Sequence, residues 1–266
     1  MTTQQNATGT TSANINHIPF ETDAGVAHRA AIGLIVLSTD QTIEHEFRFI
    51  FKQQGVAYYE SRIPNSNRIT PETLKEMEKL IEDQTDVILP GLPLDVVAFG
   101  CTSASMVIGE EMVFTKIREK RPDAACTTPI TAAFAAFDAL DAKRIGVLTP
   151  YRQDINDFMR NYITERGYEV PIFGSFNEEN DNIAARISAA SIHRAITRVA
   201  GFADLDAVFI SCTSLRLVEH VVGIEKEIGI PVTSSNHAMA WHCLRLAGVD
   251  DRLPEFGRLY EEKAER

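Results

Sequence analysis

Short apolar runs alternate along this chain with segments in which apolar positions recur every three or four residues. Residues 30–37 (Ala-Ala-Ile-Gly-Leu-Ile-Val-Leu) are apolar throughout, the pattern of a strand buried on both faces of a parallel sheet. Thr42 then precedes an amphipathic stretch with Glu44 and Glu46 in its first turn, and Gly55 ends it. That is a helix start with acids placed to favour its N-terminus. Residues 56–60 predict a second strand and 64–68 a polar loop. Thr70-Pro71-Glu72 opens another helix, with Thr as N-cap, Pro at the first helical position, and Leu74, Met77, Leu80 and Ile81 along one face. A connector at 90–93 leads to a third strand ending at Cys101. A helix over 105–120 follows, then a short strand at 124–126 and an alanine-rich helix over 130–140, capped by Thr127-Thr128-Pro129.

The order then restarts. Ile145-Gly146-Val147-Leu148-Thr149 answers Ile32-Gly33-Leu34-Ile35-Val36 at an offset of 113 residues. Helices are predicted over 151–166, 182–200, 215–228, 237–246 and 255–262, with extended segments at 168–174, 206–211 and 230–232. The strongest echo is local. Asp95-Val96-Val97-Ala98-Phe99-Gly100-Cys101-Thr102-Ser103 returns 111 residues later as Asp206-Ala207-Val208-Phe209-Ile210-Ser211-Cys212-Thr213-Ser214, sharing the Asp, the second Val and the whole Cys-Thr-Ser. Alternating strands and helices mean α/β with parallel sheets, and a repeat near 110 residues is too long for a solenoid unit. The expected fold is two similar doubly wound lobes related by pseudo-twofold symmetry, with the active site in the cleft between them. The expected boundaries are a mobile N-terminal tail over 1–27, lobe 1 over 28–138 and lobe 2 over 139–239, with the C-terminal segment at about 240–266 packing back on lobe 1.

Composition narrows the function. A formal charge of −11 argues against a nucleic-acid surface, which needs a basic patch. No apolar run approaches the roughly 18 residues of a membrane span, and residues 1–16 lack a signal-peptide core, so a cytoplasmic protein is expected, with neither nucleic acid nor membrane as partner. The cysteines at 101, 126, 212 and 243 have no metal-ligand spacing and are expected as free thiols. Neither a G-x-G-x-x-G after the first strand nor a Walker A motif is present. No metal, flavin, nicotinamide or pyridoxal phosphate is expected.

In doubly wound sheets, ligands sit outside the carboxyl ends of the strands, and here those ends carry Ser38-Thr39-Asp40, Cys101-Thr102-Ser103, Thr149-Pro150-Tyr151 and Cys212-Thr213-Ser214. A single Cys closing an apolar run is ordinarily a small buried hydrophobe, and Cys126 and Cys243 read that way. Packing alone does not also restore both hydroxyls, so Cys101 and Cys212 are candidate catalytic residues. A thiol at a helix N-terminus is expected to have its pKa lowered from about 8.5. The hydroxyls and backbone N–H groups of Thr102, Ser103, Thr213 and Ser214 can hold a substrate carboxylate. Two such motifs across a cleft fit a thiolate that removes a proton or attacks an alkene, opposite a thiol that donates a proton. His45 reads as a solvated or capping residue. His237 and His242 have no third ligand, so no metal site is expected.

Residues 33–44 (Gly-Leu-Ile-Val-Leu-Ser-Thr-Asp-Gln-Thr-Ile-Glu), Phe-Gly-Cys-Thr-Ser at 99–103, Thr-Pro-Tyr at 149–151, Asn182 before Ile183, and Ser-Cys-Thr-Ser-Leu-Arg at 211–216 resemble the aspartate/glutamate racemase superfamily. Within it they are similar to the maleate cis-trans isomerase and arylmalonate decarboxylase branch, over about residues 28–250. Racemases of the superfamily use two cysteines as an acid/base pair. The isomerases add one cysteine to the double bond and use the other for proton transfer, and the decarboxylases keep only the second. The resemblance therefore implies a cofactor-independent isomerase or racemase acting on a small carboxylate. It gives Cys101 as nucleophile or first base, Cys212 as proton donor, and Tyr151 and Asn182 as contacts to substrate carboxylates. A homo-oligomer is expected from the resemblance alone. The isomerases typically carry Asn in the first loop where this chain has Asp40, a substrate contact that can hold an ammonium or amide N–H. The stretch from Leu37 to Phe47 also resembles the ectoine-utilisation (EutA) subgroup. An amino-acid racemase acting on Asp, Glu or an ectoine-derived diamino acid, an arylmalonate-type decarboxylase, and a non-catalytic carboxylate-binding protein stand as alternatives.

Overall fold

Each long apolar run forms a parallel strand. The computed structural model describes residues 2–5, 11–66, 70–178 and 180–264. The remaining parts of the expected N-terminal tail and of the 64–68 loop lie outside the described residues. Strands β1 (Ala30–Leu37), β2 (Val56–Ile63), β3 (Val96–Gly100) and β4 (Ala125–Thr127) make one parallel sheet in the order β2-β1-β3-β4. Strands β5 (Ile145–Thr149), β6 (Phe173–Ser175), β7 (Ala207–Ile210) and β8 (Val232–Ser234) repeat that order as β6-β5-β7-β8, again parallel. The two-lobe α/β fold expected from the repeat is therefore present. In the N-terminal segment, Thr2–Gln5 and Thr11–Asn14 pair as an antiparallel hairpin outside both sheets.

The shared Asp of the repeat has the same structural task in both lobes. Asp95 Oδ2 accepts the Ala31 N–H at 2.7 Å, and Asp206 Oδ2 accepts the Arg144 N–H at 2.7 Å. Each thereby fixes the start of its lobe's first strand against the third. The paired glycines also correspond. A Cβ on Gly33 would stand 2.9 Å from the Leu94 side chain, and one on Gly146 would stand 2.6 Å from that of Leu205, so in each lobe the Leu before the shared Asp packs onto the glycine of the first strand.

The lobe 1 sheet is buried on both sides. Ile32, Leu34, Val36, Val96 and Ala98 face one core, and Ile35, Leu37, Val97 and Phe99 face the other, the period-two alternation of a strand. The first core is closed by α1 (Ile43–Ile50), α6 (Pro129–Ala139) and α11 (Ser235–Leu246). The second is closed by α2 (Pro71–Glu76), α3 (Ile81–Asp86), α4 (Thr102–Ile108) and α5 (Glu110–Arg118). Lobe 2 carries α7 (Gln153–Glu165), α8 (Asp181–Ala184), α9 (Ala189–Ala200) and α10 (Val221–Ile228). Trp241, Leu259 and Tyr260 are fully buried in the lobe 1 core, and the Arg245 guanidinium binds the carbonyls of Val249, Tyr260 and Glu262. The C-terminal segment thus packs back on lobe 1. No helix among the described residues is long and apolar enough to cross a membrane.

Five expected helices differ. The one opened by Thr70 passes through a 3-10 turn at Met77–Leu80 before it resumes as α3. The helix placed over 105–120 starts at Thr102 and breaks at Gly109, whose φ is 95°. The one placed over 182–200 divides into α8 and α9, the latter capped by Ser188, which accepts the Ser191 N–H. Residues expected to be helical over 255–262 form two 3-10 turns separated by Gly257, whose φ is 86°. The segment after Cys212 was expected to be helical from 215, but helix begins only at Val221. The N–H groups of Leu217 and Val218 point instead to Glu46 Oε1, at 2.5 and 2.8 Å. Glu46 is therefore not a helix-terminus charge as expected. It is a buried acceptor from lobe 1 that shapes a lobe 2 loop, and its Oε2 also accepts from Asn236 Nδ2 at 2.8 Å.

Truncating Glu46 strands two buried N–H donors, each costing about 1–3 kcal/mol when unsatisfied. Glu46→Ala is expected to lower stability by about 3 kcal/mol in urea denaturation. A loss below about 0.5 kcal/mol, the usual range of an indifferent surface substitution, would contradict this role.

Candidate active site

Four strand ends converge on one cavity. β3 ends in Cys101, which opens α4 directly, so Thr102 and Ser103 lie in the first helical turn. β7 ends just before Cys212 and Thr213, and β5 ends just before Tyr151. Cys101, Thr102, Ser103, Tyr151, Cys212 and Thr213 all line the cavity, joined by Asn65, Asp181 and the apolar side chains of Leu37, Leu74 and Met77. Both thiols are almost completely buried, at 4% and 3% exposure. They come from opposite lobes, as the repeat predicts.

The backbone at Tyr151 is fixed by its own strand end. Thr149 Oγ1 accepts the Tyr151 N–H at 3.2 Å and donates to Asn156 Oδ1 at 2.6 Å, while Asn156 Nδ2 and the Ser175 hydroxyl both donate to the Tyr151 carbonyl. This aims the phenol at the thiols, with its hydroxyl near enough to Cys212 to favour the thiolate. The Ser214 N–H points at Cys212 Sγ at 3.4 Å, and Ser103 Oγ lies 3.8 Å from Cys101 Sγ. Thr102 Oγ1 is paired with Ser235 Oγ at 2.8 Å.

The first-loop residues close the rim against lobe 2. Thr39 Oγ1 donates to Asp181 Oδ2 at 3.0 Å, Gln41 Nε2 to Asn182 Oδ1 at 2.7 Å, and Thr42 Oγ1 to the Ser214 carbonyl at 3.2 Å. Asn65 Nδ2 backs Thr39 Oγ1 at 2.8 Å, and its Oδ1 accepts from Ser38. The enclosed cavity is about 20 Å³, room for about one water. A four-carbon acid enters only when this rim parts.

Three expected substrate contacts sit differently from the cavity lining. Asn182 is exposed on the rim, engaged with Gln41. Ser214 stands behind the wall, with its hydroxyl on Asp181 Oδ1 at 3.3 Å. Asp40 is buried beneath the first loop, and its Oδ1 accepts the N–H groups of Thr42 and Ile43 at 2.7 and 2.8 Å, capping α1. Asp181 and Asn65 were not singled out in the sequence. The one signal for Asp181 was its place beside Asn182 in an acidic, Asn-rich run. Asn180 caps α8 through the Asn182 and Ile183 N–H groups, and this turns Asp181 inward. Cys126 and Cys243 belong to the two lobe 1 cores, as expected. His45 pairs with Glu219 on the surface. His237 and His242 are buried against Thr233 and Thr127, their pKa values pushed down to about 4 by burial.

The thiols do not behave as the helix-terminus argument expects. Burial pushes Cys101 and Cys212 each up to about 12. The Ala104 N–H and Ser103 favour the Cys101 thiolate, and Tyr151 and Ser214 favour that of Cys212, but the Asp181 charge opposes both and Asp40 also opposes Cys101. Desolvation wins because both sulfurs are almost fully buried between the lobes. Burial likewise raises Asp40 to about 6 and lifts Asp181, which the hydroxyls of Thr39 and Ser214 pull back.

Residues 32–260 match the arylmalonate decarboxylase family. The chain is 30% identical over 139 residues to an arylmalonate decarboxylase of Bordetella bronchiseptica, covering 52% of this chain and 58% of that one. It is 28% identical over 244 residues to a maleate isomerase of Nocardia farcinica, covering 87% and 95%. A cysteine-to-serine variant of Nocardia farcinica maleate cis-trans isomerase, solved with a covalently bound succinylcysteine intermediate, superposes with a TM-score of 0.79 at 24% identity, over 87% of this chain and 98% of that one. With the two-lobe fold and the match running through both cysteine motifs, this chain belongs to the arylmalonate decarboxylase family.

Proposed function

We propose that this protein is a cofactor-independent isomerase of a small carboxylate, working through Cys101 and Cys212. The observation that carries the reading is that two thiols from opposite lobes line one closed cavity. The covalent succinylcysteine in a relative of the same fold supports thiol chemistry in such a cleft. The hydroxyls of Ser103 and Thr213, which line the cavity, hold the carboxylate, and the Tyr151 hydroxyl steadies Cys212. In the racemase form, one thiolate takes the proton beside the carboxylate and the opposite thiol returns one on the other face. In the cis-trans form, Cys101 adds to the alkene, rotation about the new single bond follows, and expulsion of the thiolate restores the double bond. Family membership favours one further reading. Loss of CO₂ from a malonate-type acid leaves a carbanion that takes its proton from Cys212.

General acid–base and nucleophilic roles are worth about 10² to 10⁴ in rate. On maleate, on amino acids scored by racemisation and on arylmalonates scored by CO₂ release, Cys101→Ser and Cys212→Ser are each expected to lose at least about 100-fold in kcat while the melting temperature holds. Near-wild-type turnover in both variants would exclude the two-thiol reading. Loss confined to Cys212→Ser, together with CO₂ release, would select decarboxylation.

The raised thiol pKa values set a pH dependence. Below pH 12 the reactive thiolate is the minor form, and it grows about tenfold per pH unit. Alkylation of Cys101 and Cys212 by iodoacetamide, followed by peptide mass spectrometry, is expected to accelerate continuously from pH 7 to 9. A plateau below pH 9 at either thiol would contradict it.

A further inference from the structure

A cation outside the cavity holds the loop that closes it. Arg62, at the carboxyl end of β2, places its guanidinium Nη1 among the carbonyls of Leu37, Ser38 and Asp40, at 3.4, 3.4 and 3.1 Å. Its Nη2 pairs with Glu44 in the first turn of α1. Three carbonyls turned to one point carry like partial charges, and a charged donor among them offsets their repulsion. The backbone from Leu37 to Asp40 is thus bent around this side chain, and the ion pair ties α1 to it. The same loop sends Thr39, Gln41 and Thr42 across to lobe 2, where they meet Asp181, Asn182 and the Ser214 carbonyl.

Lobe 2 has the same device in a smaller form. Arg62 pairs with Val36 across its sheet, and Ser175 with Thr149 across the other. Arg62 and Ser175 stand 113 positions apart, as do Ser38 and Tyr151, the offset of the repeated first strands. Ser175 donates to the Tyr151 carbonyl as Arg62 donates to that of Ser38. At Tyr151 the buried Thr149 and Asn156 side chains share the task. In lobe 1 it falls to Asn65 and to a guanidinium whose side chain is 42% exposed.

We propose that Arg62 is the positioning residue of this rim. It sets the closed form of the 38–42 loop, and through that loop the access of small molecules to Cys101 and Cys212. The inference concerns entry, so it holds for each of the reactions considered above. Without the guanidinium the three carbonyls turn toward water, the loop relaxes, and Thr39, Gln41 and Thr42 lose their alignment with lobe 2. Tyr151 keeps its own supports, so the rim parts on the lobe 1 side. A lysine ammonium can serve the carbonyls or Glu44, whereas the planar fork of an arginine reaches both at a fixed spacing.

The test is the initial rate at which iodoacetamide alkylates each cysteine of the whole protein, read by peptide mass spectrometry. A closed rim reacts only in the fraction of molecules that have opened, and losing a charged hydrogen-bonding group shifts such an equilibrium by about tenfold or more. Arg62→Ala is expected to speed alkylation of Cys101 and Cys212 by that factor. Cys243, fully buried in the lobe 1 core, is expected to keep its wild-type rate. Arg62→Lys should fall between wild type and Arg62→Ala. Millimolar guanidinium, compared with equal sodium chloride, should slow the two cleft thiols of Arg62→Ala toward wild type. Wild-type rates at Cys101 and Cys212 in either variant overturn the proposal. So does equal acceleration at Cys243, which marks a general loosening of lobe 1. Acceleration that neither lysine nor guanidinium reduces marks lost packing rather than a lost fork, and overturns it too. Should Arg62→Ala fail to fold, Arg62→Lys carries the comparison with wild type.

Discussion

A buried carboxylate ties the two lobes together where the second thiol is presented. Glu46 leaves α1, crosses to lobe 2, and accepts the N–H groups of Leu217 and Val218 and the Asn236 amide. Asn236 Nδ2 in turn holds the Thr213 carbonyl at 2.8 Å, one residue past Cys212. Burial works against the charge on Glu46, and these three donors work for it. The loop from 211 to 220 takes its shape from that exchange, which diverts two N–H groups that a helix would otherwise use. Cys212 is consequently carried on a strand end and a clamped loop, whereas Cys101 opens a helix. The two halves of the repeat are alike in fold and unlike in how they support their thiols.

That asymmetry gives physical content to a division of labour. Cys101 has an N–H from the next helical turn and a serine hydroxyl beside it, and both acids act against its charge. Cys212 has a tyrosine hydroxyl and the Ser214 N–H, and feels Asp181. Among the described residues neither thiol has a cation beside it, and both are almost fully buried. The site is thus built to keep its sulfurs protonated when empty. Its rim is joined across the lobes by Thr39, Gln41 and Thr42, so opening for a ligand and exposing the acids to solvent are one event.

The strands were legible because an apolar run of four to eight residues has few other uses, and the repeat made the pairing of lobes legible as well. Cys101 and Cys212 could be found because Cys-Thr-Ser recurs whole. The recurring Asp95 and Asp206 belong to the same signal, but their task of holding the first strand appears only once that strand lies beside the third. Glu46 was misread because its partners lie about 170 positions away, out of reach of any local pattern. The helix after Cys212 was overextended for the same reason, since the spacing of Leu215, Val218 and Val221 suits a helix. Asp181 and Asn65 come from loops whose inward turn depends on lobe closure. The direction of the thiol pKa was missed because position at a strand end says nothing of how completely the other lobe covers it.

The central claim is that Cys101 and Cys212 share one small closed space, and it can be tested without knowing the substrate. Intact-protein and peptide mass spectrometry after exhaustive treatment with iodoacetamide reads whether the two sites exclude one another. Reagent enters when the rim parts, and an adduct on either thiol then occupies the space that both share, screening the other. The account predicts molecules modified at Cys101 or at Cys212, with the doubly modified species well below the product of the two single occupancies. Independent modification of both thiols in the same molecules would contradict it.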